Sequence, residues 1–328
     1  MQSTYGMLSA GHVPARIFLN DGSGGFEEFN PSGFQLSGTD IADGDPALWA
    51  EGIQQHQTFD STGAFADVAT VGMSVELGDL DADFDIDVLH GEKFELPRLF
   101  QNRTEENGGT LSFRDVSAAL LPPNWSSGPG KYEQVLGDLD QDGDLDIYGM
   151  NWVDFCDTVL FNDGTGVFTC VPVASSCPRE SEPDFVDYDN DGDLDVFMSK
   201  LGGQDRMQTN TGAAGGWTYT LATTVLPADS SRSWGSDVCD VDGDGDYDVF
   251  VANDLNQAND FLENVSAVAD AHAPRIPNLE QAPDRAAGAQ ATRVRAHVYD
   301  NAEDYLTGRI AVALEYSVGG GTFSSVAM

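Results

Sequence analysis

The stretch Asp138-Leu139-Asp140-Gln141-Asp142-Gly143-Asp144-Leu145-Asp146 sets an acid on every second position and a glycine at its sixth place. Residues 79–87 (DLDADFDID), 187–195 (DYDNDGDLD) and 240–248 (DVDGDGDYD) repeat it in the same register, with Asp at places one, three, five, seven and nine. A single run of this kind reads as a solvated charged face. Four runs in identical register point to a common chemical task.

That task is holding a hard cation. Calcium takes six to eight oxygens at about 2.3–2.6 Å, and a short loop supplies them from side chains at places one, three and five and a backbone carbonyl at place seven. Asp at place nine closes the set, and glycine at place six permits the sharp turn. The candidate ligands are therefore Asp79, Asp81, Asp83, Asp85 and Asp87; Asp138, Asp140, Asp142, Asp144 and Asp146; Asp187, Asp189, Asp191, Asp193 and Asp195; and Asp240, Asp242, Asp244, Asp246 and Asp248. An EF-hand would need Glu at place twelve, where this chain has His90, Gly149, Met198 and Val251. Nor does a helix follow: Ile147-Tyr148, Val196-Phe197 and Val249-Phe250 are β-formers, so each loop runs into a strand. About four calcium sites are expected.

The loops begin at 79, 138, 187 and 240, so the chain is a repeat with steps of 59, 49 and 53 residues. A second landmark keeps phase with them: Leu99-Phe100-Gln101-Asn102, Leu160-Phe161-Asn162, Thr209-Asn210 and Phe261-Leu262-Glu263-Asn264. A turn and an aromatic residue follow, at Phe113, Phe168 and Trp217. Each repeat thus reads as four short strands. That length and strand count predict an all-β fold of propeller blades, about four to five of them, as part of a larger ring.

The blade parts fall at residues 1–72, 73–132, 133–182, 183–233 and 234–266, followed by a linker at 267–278 and a segment at 279–328. Residues 16–26 read as the later half of a blade, and Thr4-Tyr5-Gly6-Met7 aligns with Ile147-Tyr148-Gly149-Met150 just beyond a loop, so Met1 is expected to be internal to a longer protein. Residues 30–72 hold an insertion too short for another blade. After Asn264 the pattern stops without a fourth strand. Alternating strands at 294–298, 311–318 and 322–326 resemble the opening half of a bacterial immunoglobulin-like or fibronectin-like β-sandwich.

The net charge of −40 arises from 55 acids against 15 bases, only three of them lysine. Nucleic acid is a poor partner for such a surface, since phosphate binding needs clustered Lys and Arg. No run of about 18 apolar residues is present, so membrane insertion is not expected. The first residues also lack the pattern of a signal peptide, which is expected to stand upstream. Of the four cysteines, Cys156 and Cys170 flank the turn at 162–166, Cys177 is also within reach of Cys170, and Cys239 reads as a buried small residue.

The loops, the strand leaving each of them, and the Leu-Phe-x-Asn and Gly-x-Gly-x-Phe turns resemble the FG-GAP or VCBS repeat family, the calcium-loop blades also seen in integrin α subunits. The resemblance covers residues 1 to about 266. It implies a propeller, usually seven-bladed, that is secreted or displayed at the cell surface and serves adhesion, carbohydrate binding or protein recognition. One loop departs from the pattern, with Phe84 in the glycine place. If that place is left-handed, a non-glycine residue costs about 1–2 kcal/mol, so this site should be the weakest.

In a four-stranded meander the calcium loops occupy one face, and the second turns and blade connectors occupy the other. That opposite face should receive Trp49, Trp125, Trp152, Trp234, Tyr132, Arg179 and Arg232. Exposed aromatics with a few polar groups suit a glycan or protein ligand; the alternative is that the tryptophans pack between blades. No nucleophile motif or metal-spaced histidine set is present, so the chain is not expected to be an enzyme. The alternative is an accessory region of a secreted polysaccharide-degrading or other hydrolytic enzyme.

Overall fold

The computed structural model describes residues 17–29, 72–92, 97–111, 113–122, 125, 132–151, 156–173, 180–212, 216–228, 231–266, 275–276, 278–280, 293–298, 313–317, 322 and 324–327. Nearly all of the regular structure is β. Strands β1 (Ile17–Asn20) and β2 (Phe26–Phe29) form a hairpin across the Gly-rich turn. The first four-stranded blade contains β3 (Gly72–Gly78), β4 (Asp87–Glu92), β5 (Arg98–Asn102) and β6 (Phe113–Asp115). The second contains β7 (Glu133–Gly137), β8 (Asp146–Met150), β9 (Thr158–Asn162) and β10 (Phe168–Pro172). The third contains β11 (Glu180–Val186), β12 (Asp195–Lys200), β13 (Arg206–Asn210) and β14 (Tyr219–Ala222). The last has β15 (Ser233–Cys239), β16 (Asp248–Asn253) and β17 (Asp260–Leu262), with no fourth strand among the described residues.

Every pairing within a blade is antiparallel and sequential, so each sheet is a meander. The first strands β3, β7, β11 and β15 lie side by side and form the inner ring of a propeller arrangement. The core therefore lies in the seams between blades. Leu80, Leu89, Leu99, Ile147, Leu160 and Phe168 fill the first seam. Tyr148, Met150, Val159, Val196, Met198 and Tyr219 fill the second, and Val186, Phe197, Met207, Val249 and Val251 fill the third.

Seam packing explains why the second strands read as continuous apolar runs. Both faces of β8 are covered by neighbouring blades, and all five of its residues are buried. By contrast, β16 has a blade on one side only among the described residues, and its burial alternates, leaving Phe250 exposed. Close approach also fixes Gly137, where a Cβ would stand 2.7 Å from Leu194 and 2.9 Å from Phe185 of the next blade. Beside β17 a groove of about 500 Å³ runs between the last two blades, lined by Val186, Met207, Leu226, Tyr247 and Phe261 among others.

The second sequence landmark is a staple between blades. Asn162 donates from Nδ2 to the Leu80 carbonyl of the preceding blade at 2.8 Å. Asn210 does the same to Leu139 at 3.1 Å, and Asn264 to Tyr188 at 3.0 Å. The side-chain oxygen of Asn162 meanwhile accepts the Gly164 and Gly166 amides and shapes the next turn. Asn162→Ala leaves these buried groups without partners, each worth about 1–3 kcal/mol. A fall of roughly 2–4 kcal/mol in urea unfolding is expected; a change under about 0.5 kcal/mol would show that the staple adds nothing.

Several expectations are corrected or sharpened by these packing relations. The connector at 117–132 begins with a short helix, α1 (Ser117–Leu120). The register pairs Cys170 with Leu160, so Cys156 does not face it; Cys156 is disulfide-bonded, whereas Cys170 and Cys239 are thiols. Cys239 is exposed rather than buried, because it ends the inner strand of the last blade, which is covered on one side. In the tail, β18 (Ala313–Tyr316) and β19 (Ser324–Ala327) pair as a hairpin, while the expected strand at 294–298 makes one bridge, Leu279 with Ala296. No sandwich is formed by the described tail residues. Thr4–Met7, Trp49, Trp152, Cys177, Arg179 and the insertion at 30–71 lie outside the described residues.

Candidate metal centres

Each acidic nonapeptide joins the first strand of a blade to its second, as the β-formers beyond place nine required. In all four, carboxylate oxygens from places one, three and nine come within 4.8 Å of one another. The groups are Asp79, Asp81 and Asp87; Asp138, Asp140 and Asp146; Asp187, Asp189 and Asp195; and Asp240, Asp242 and Asp248.

The remaining places shape the loop. Asp83, Asp142, Asp191 and Asp244, at place five, each accept the amide of place seven through Oδ1 at 2.8–3.2 Å. At place one, Asp187 accepts the Asp191 and Gly192 amides and Asp79 those of Asp83 and Phe84, while Asp240 accepts the amides of Gly243 and Gly245. At place seven, Asp246 accepts Asn190 Nδ2 of the preceding loop at 2.8 Å; Asp144 and Asp193 stand outside the three-carboxylate groups, whereas Asp85 converges with Asp83 and Glu106 in a further group within 4.8 Å.

Place nine has a double role. Asp146 accepts the Leu139 amide through Oδ2 at 3.0 Å and the Asn162 amide through Oδ1 at 2.9 Å. Asp87, Asp195 and Asp248 repeat both bonds, to residues 80 and 102, 188 and 210, and 241 and 264. This carboxylate therefore ties loop entry, loop exit and the third strand of its blade into one unit. The Asn landmark keeps phase with place nine because its amide is bonded to that carboxylate in every repeat.

Backbone strain is concentrated at two places in each loop. Place six has φ of +106° at Gly143, +92° at Gly192, +102° at Gly245 and +70° at Phe84, as the glycine pattern anticipated. Place four is left-handed as well, with Ala82, Gln141, Asn190 and Gly243 at φ of +56° to +80°. That second turn was missed because the residues there share no type; Asn190 and Gly243 were its signals.

The electrostatics favour a cation. Burial, with neighbouring carboxylates adding to it against opposing backbone hydrogen bonds, pushes Asp87 and Asp146 up to about 8 and Asp195 up to about 9. Asp138 and Asp187 rise to about 6, chiefly through burial. Asp81 Oδ1, Asp138 Oδ1, Asp189 Oδ1 and Asp193 Oδ1 are buried without a hydrogen-bond partner. An all-oxygen donor set of this kind, with no histidine or cysteine among the converging groups, fits calcium rather than zinc or copper.

Residues 138–198 and 187–251 each match the model of the FG-GAP-like repeat. These two stretches are FG-GAP-like repeats. Each match runs from place one of a loop to the strand leaving the next, and the loop at 79–87 precedes both. No curated protein matches the chain. FG-GAP repeats often bind calcium, and the convergence of places one, three and nine shows which side chains of this propeller could hold it.

At the far end of the FG-GAP blades, two side chains of the expected ligand surface are not on the surface. Trp125 is buried at 3% exposure in the first seam, its indole N–H donating to Thr158 Oγ1 at 2.9 Å. Tyr132 is buried in the second seam. Both close a seam at the end opposite the metal loops, where a large ring excludes water from the blade junction. Trp234 is 49% exposed, and beside it Arg232 lies 3.8 Å from Asp254.

The inner ring brings together acids that the repeat pattern did not single out. Glu76 on β3, Glu133 on β7, and Glu182 and Asp184 on β11 influence one another across the ring. Burial and then mutual repulsion raise Glu76 and Glu182 to about 7 and Glu133 to about 8; burial raises Asp184 to about 6 against a Ser236 hydrogen bond. The folded chain therefore keeps protons here that the unfolded chain loses near pH 4. Stability is fully present below the unfolded values and is lost as pH rises through about 6–8. Glu133→Gln should raise stability by about 1–2 kcal/mol at pH 8 and leave it nearly unchanged at pH 5, both in saturating calcium. Equal effects at the two pH values would contradict the buried cluster.

Proposed function

We propose that this chain is a calcium-stabilised, non-catalytic recognition module of a secreted or cell-surface protein, acting in adhesion or in binding a glycan or protein. The observation that carries the calcium reading is the fourfold convergence of three carboxylates on one point in loops of identical register. In that reading places one, three and nine hold the ion by side chain, place five contributes its second oxygen, and place seven its carbonyl. The ion contributes charge neutralisation and cross-linking of the loop. The chain contributes the pre-shaped oxygen cage, since place-one carboxylates are already fixed by backbone amides.

Secretion suits such sites, because loops of modest affinity fill at the millimolar calcium found outside cells. Among the described residues no helix is long and apolar enough to cross a membrane. The ligand surface would centre on Trp234 and Arg232, at the end of β15 away from the loops.

Calorimetric titration with calcium, together with a glycan array and a polysaccharide depolymerisation assay, tests the reading. About four calcium ions per chain and saturable ligand binding weakened by Trp234→Ala are expected. Turnover without saturable binding would overturn the recognition role, and absence of calcium binding would overturn the module as a whole.

A further inference from the structure

The loop at 79–87 is engaged by the tail. Residues 278–280 and 293–298 are joined by backbone hydrogen bonds, Glu280 to Arg295 at 2.8 Å and His297 to Asn278 at 2.9 Å. Two residues apart on an extended segment, Arg295 and His297 emerge on the same side, and that side meets the loop. The Arg295 guanidinium stands 5.0 Å over the Phe84 ring, and the His297 ring lies 4.9 Å from it. Arg295 also donates to the Phe84 carbonyl at 3.4 Å and pairs with Glu105 at 2.9 Å and Asp85 at 3.8 Å. His297 Nε2 is 3.3 Å from Asp79 Oδ2, at a place-one carboxylate.

Both left-handed residues of this loop give their carbonyls to the tail, Ala82 to Asn278 and Phe84 to Arg295. In the last two loops, places six and seven are served by the preceding blade. Gln141 donates to the Gly192 carbonyl at place six, and Asn190 to Asp246 at place seven. Arg295 fills the equivalent slot on Phe84 and Asp85. The phenyl ring at the glycine place is thus a platform for the tail's cation, and cation–π contact offsets part of its left-handed strain.

We propose that the tail pair 278–280 and 293–298 is a built-in occupant of the first loop, docked in the slot a preceding blade fills elsewhere, and that it competes with a divalent cation for that loop. The competition follows from charge. Arg295 brings a positive charge to Asp85 at the edge of the loop, where a calcium ion would add its own, and His297 stands 3.3 Å from Asp79 Oδ2, a place-one carboxylate that an ion would use. Of the three loops with glycine at place six, the one at 138–146 meets the tail through Arg275, which donates to the Gln141 side chain at 2.5 Å; those at 187–195 and 240–248 meet no tail residue among the described residues.

This inference rests on the calcium reading, and the test separates the two. The full chain is titrated with calcium from the level that fills the three glycine-bearing loops, so the fold is held throughout, and amide exchange of peptides covering 278–298 is followed by mass spectrometry. Tail protection should fall across the last, weakest binding step. The double variant Arg295→Ala/His297→Ala should tighten that step by about tenfold, while Phe84→Gly should release the tail at low calcium. Tail protection that is unchanged or rises with calcium, or a weakest step unaffected by the double variant, overturns the competition while leaving the calcium module intact. Absence of any calcium binding overturns both.

Discussion

Removing calcium is expected to lower the melting temperature by roughly 15–30 °C. Each site held at a hundredfold excess of ion over its dissociation constant adds about 2.7 kcal/mol through linkage. For a chain of this size ~1 kcal/mol moves the midpoint by roughly 2–4 °C, and the three loops with glycine at place six supply the bulk of the shift. The repulsion behind it is local: two carboxylates about 5 Å apart repel by roughly 3 kcal/mol at an effective dielectric near 20, and each loop gathers three within 4.8 Å. Scanning calorimetry in calcium and in chelator measures the difference. Magnesium at equal concentration should restore less, because it demands a smaller octahedral cage. A midpoint that moves less than about 2 °C would mean that the loops are solvated carboxylates and nothing more.

The second large effect separates the two roles of place nine. Asp146→Ala deprives the Leu139 and Asn162 amides of their acceptor inside a buried site. Each orphaned donor costs about 1–3 kcal/mol, so a loss of roughly 2–6 kcal/mol is expected even in chelator. Asp140→Ala makes the useful contrast. Asp140 belongs to the same carboxylate group but is held within the loop by Asp142, whose amide donates to it at 3.3 Å, and not by the third strand. It should change stability by less than about 1 kcal/mol in chelator, yet abolish stabilisation at that loop by calcium. Urea unfolding of both variants, with and without calcium, checks this. Equal losses for the two in chelator would show that place nine does not clasp the blade.

The two effects share one origin. A carboxylate that closes the ion cage also closes the blade, since its remaining lone pairs hold the entry of the loop and the end of the third strand. In the calcium reading, ion occupancy and blade integrity would therefore meet at the same side chain. The inner-ring acids act differently: their repulsion is between blades, so their pH response should persist when the loops are saturated.

Much of this architecture was legible from residue types because its determinants are local. The oxygen spacing of a metal loop is complete within nine residues, and a β-former after place nine is enough to end it in a strand. From those units the blade count, the meander order and the three-stranded last blade follow by repetition. What lay beyond the sequence is what one blade does to the next. Trp125 and Tyr132 look like surface aromatics from their connectors, yet seam packing buries them. The Asn landmark was visible as a phase marker, but its bond to the preceding loop depends on how two sheets stack. Phe84 read as a damaged glycine place; only the tail, folded back across about 210 residues of chain to set Arg295 and His297 against the ring, shows what the side chain contacts. The sequence by itself determined the loops and the blade period, because both are set by neighbours along the chain. The tertiary structure decided which aromatics reach solvent, which acids share a buried ring and which loop meets the tail, because those depend on distances between segments that no local pattern encodes.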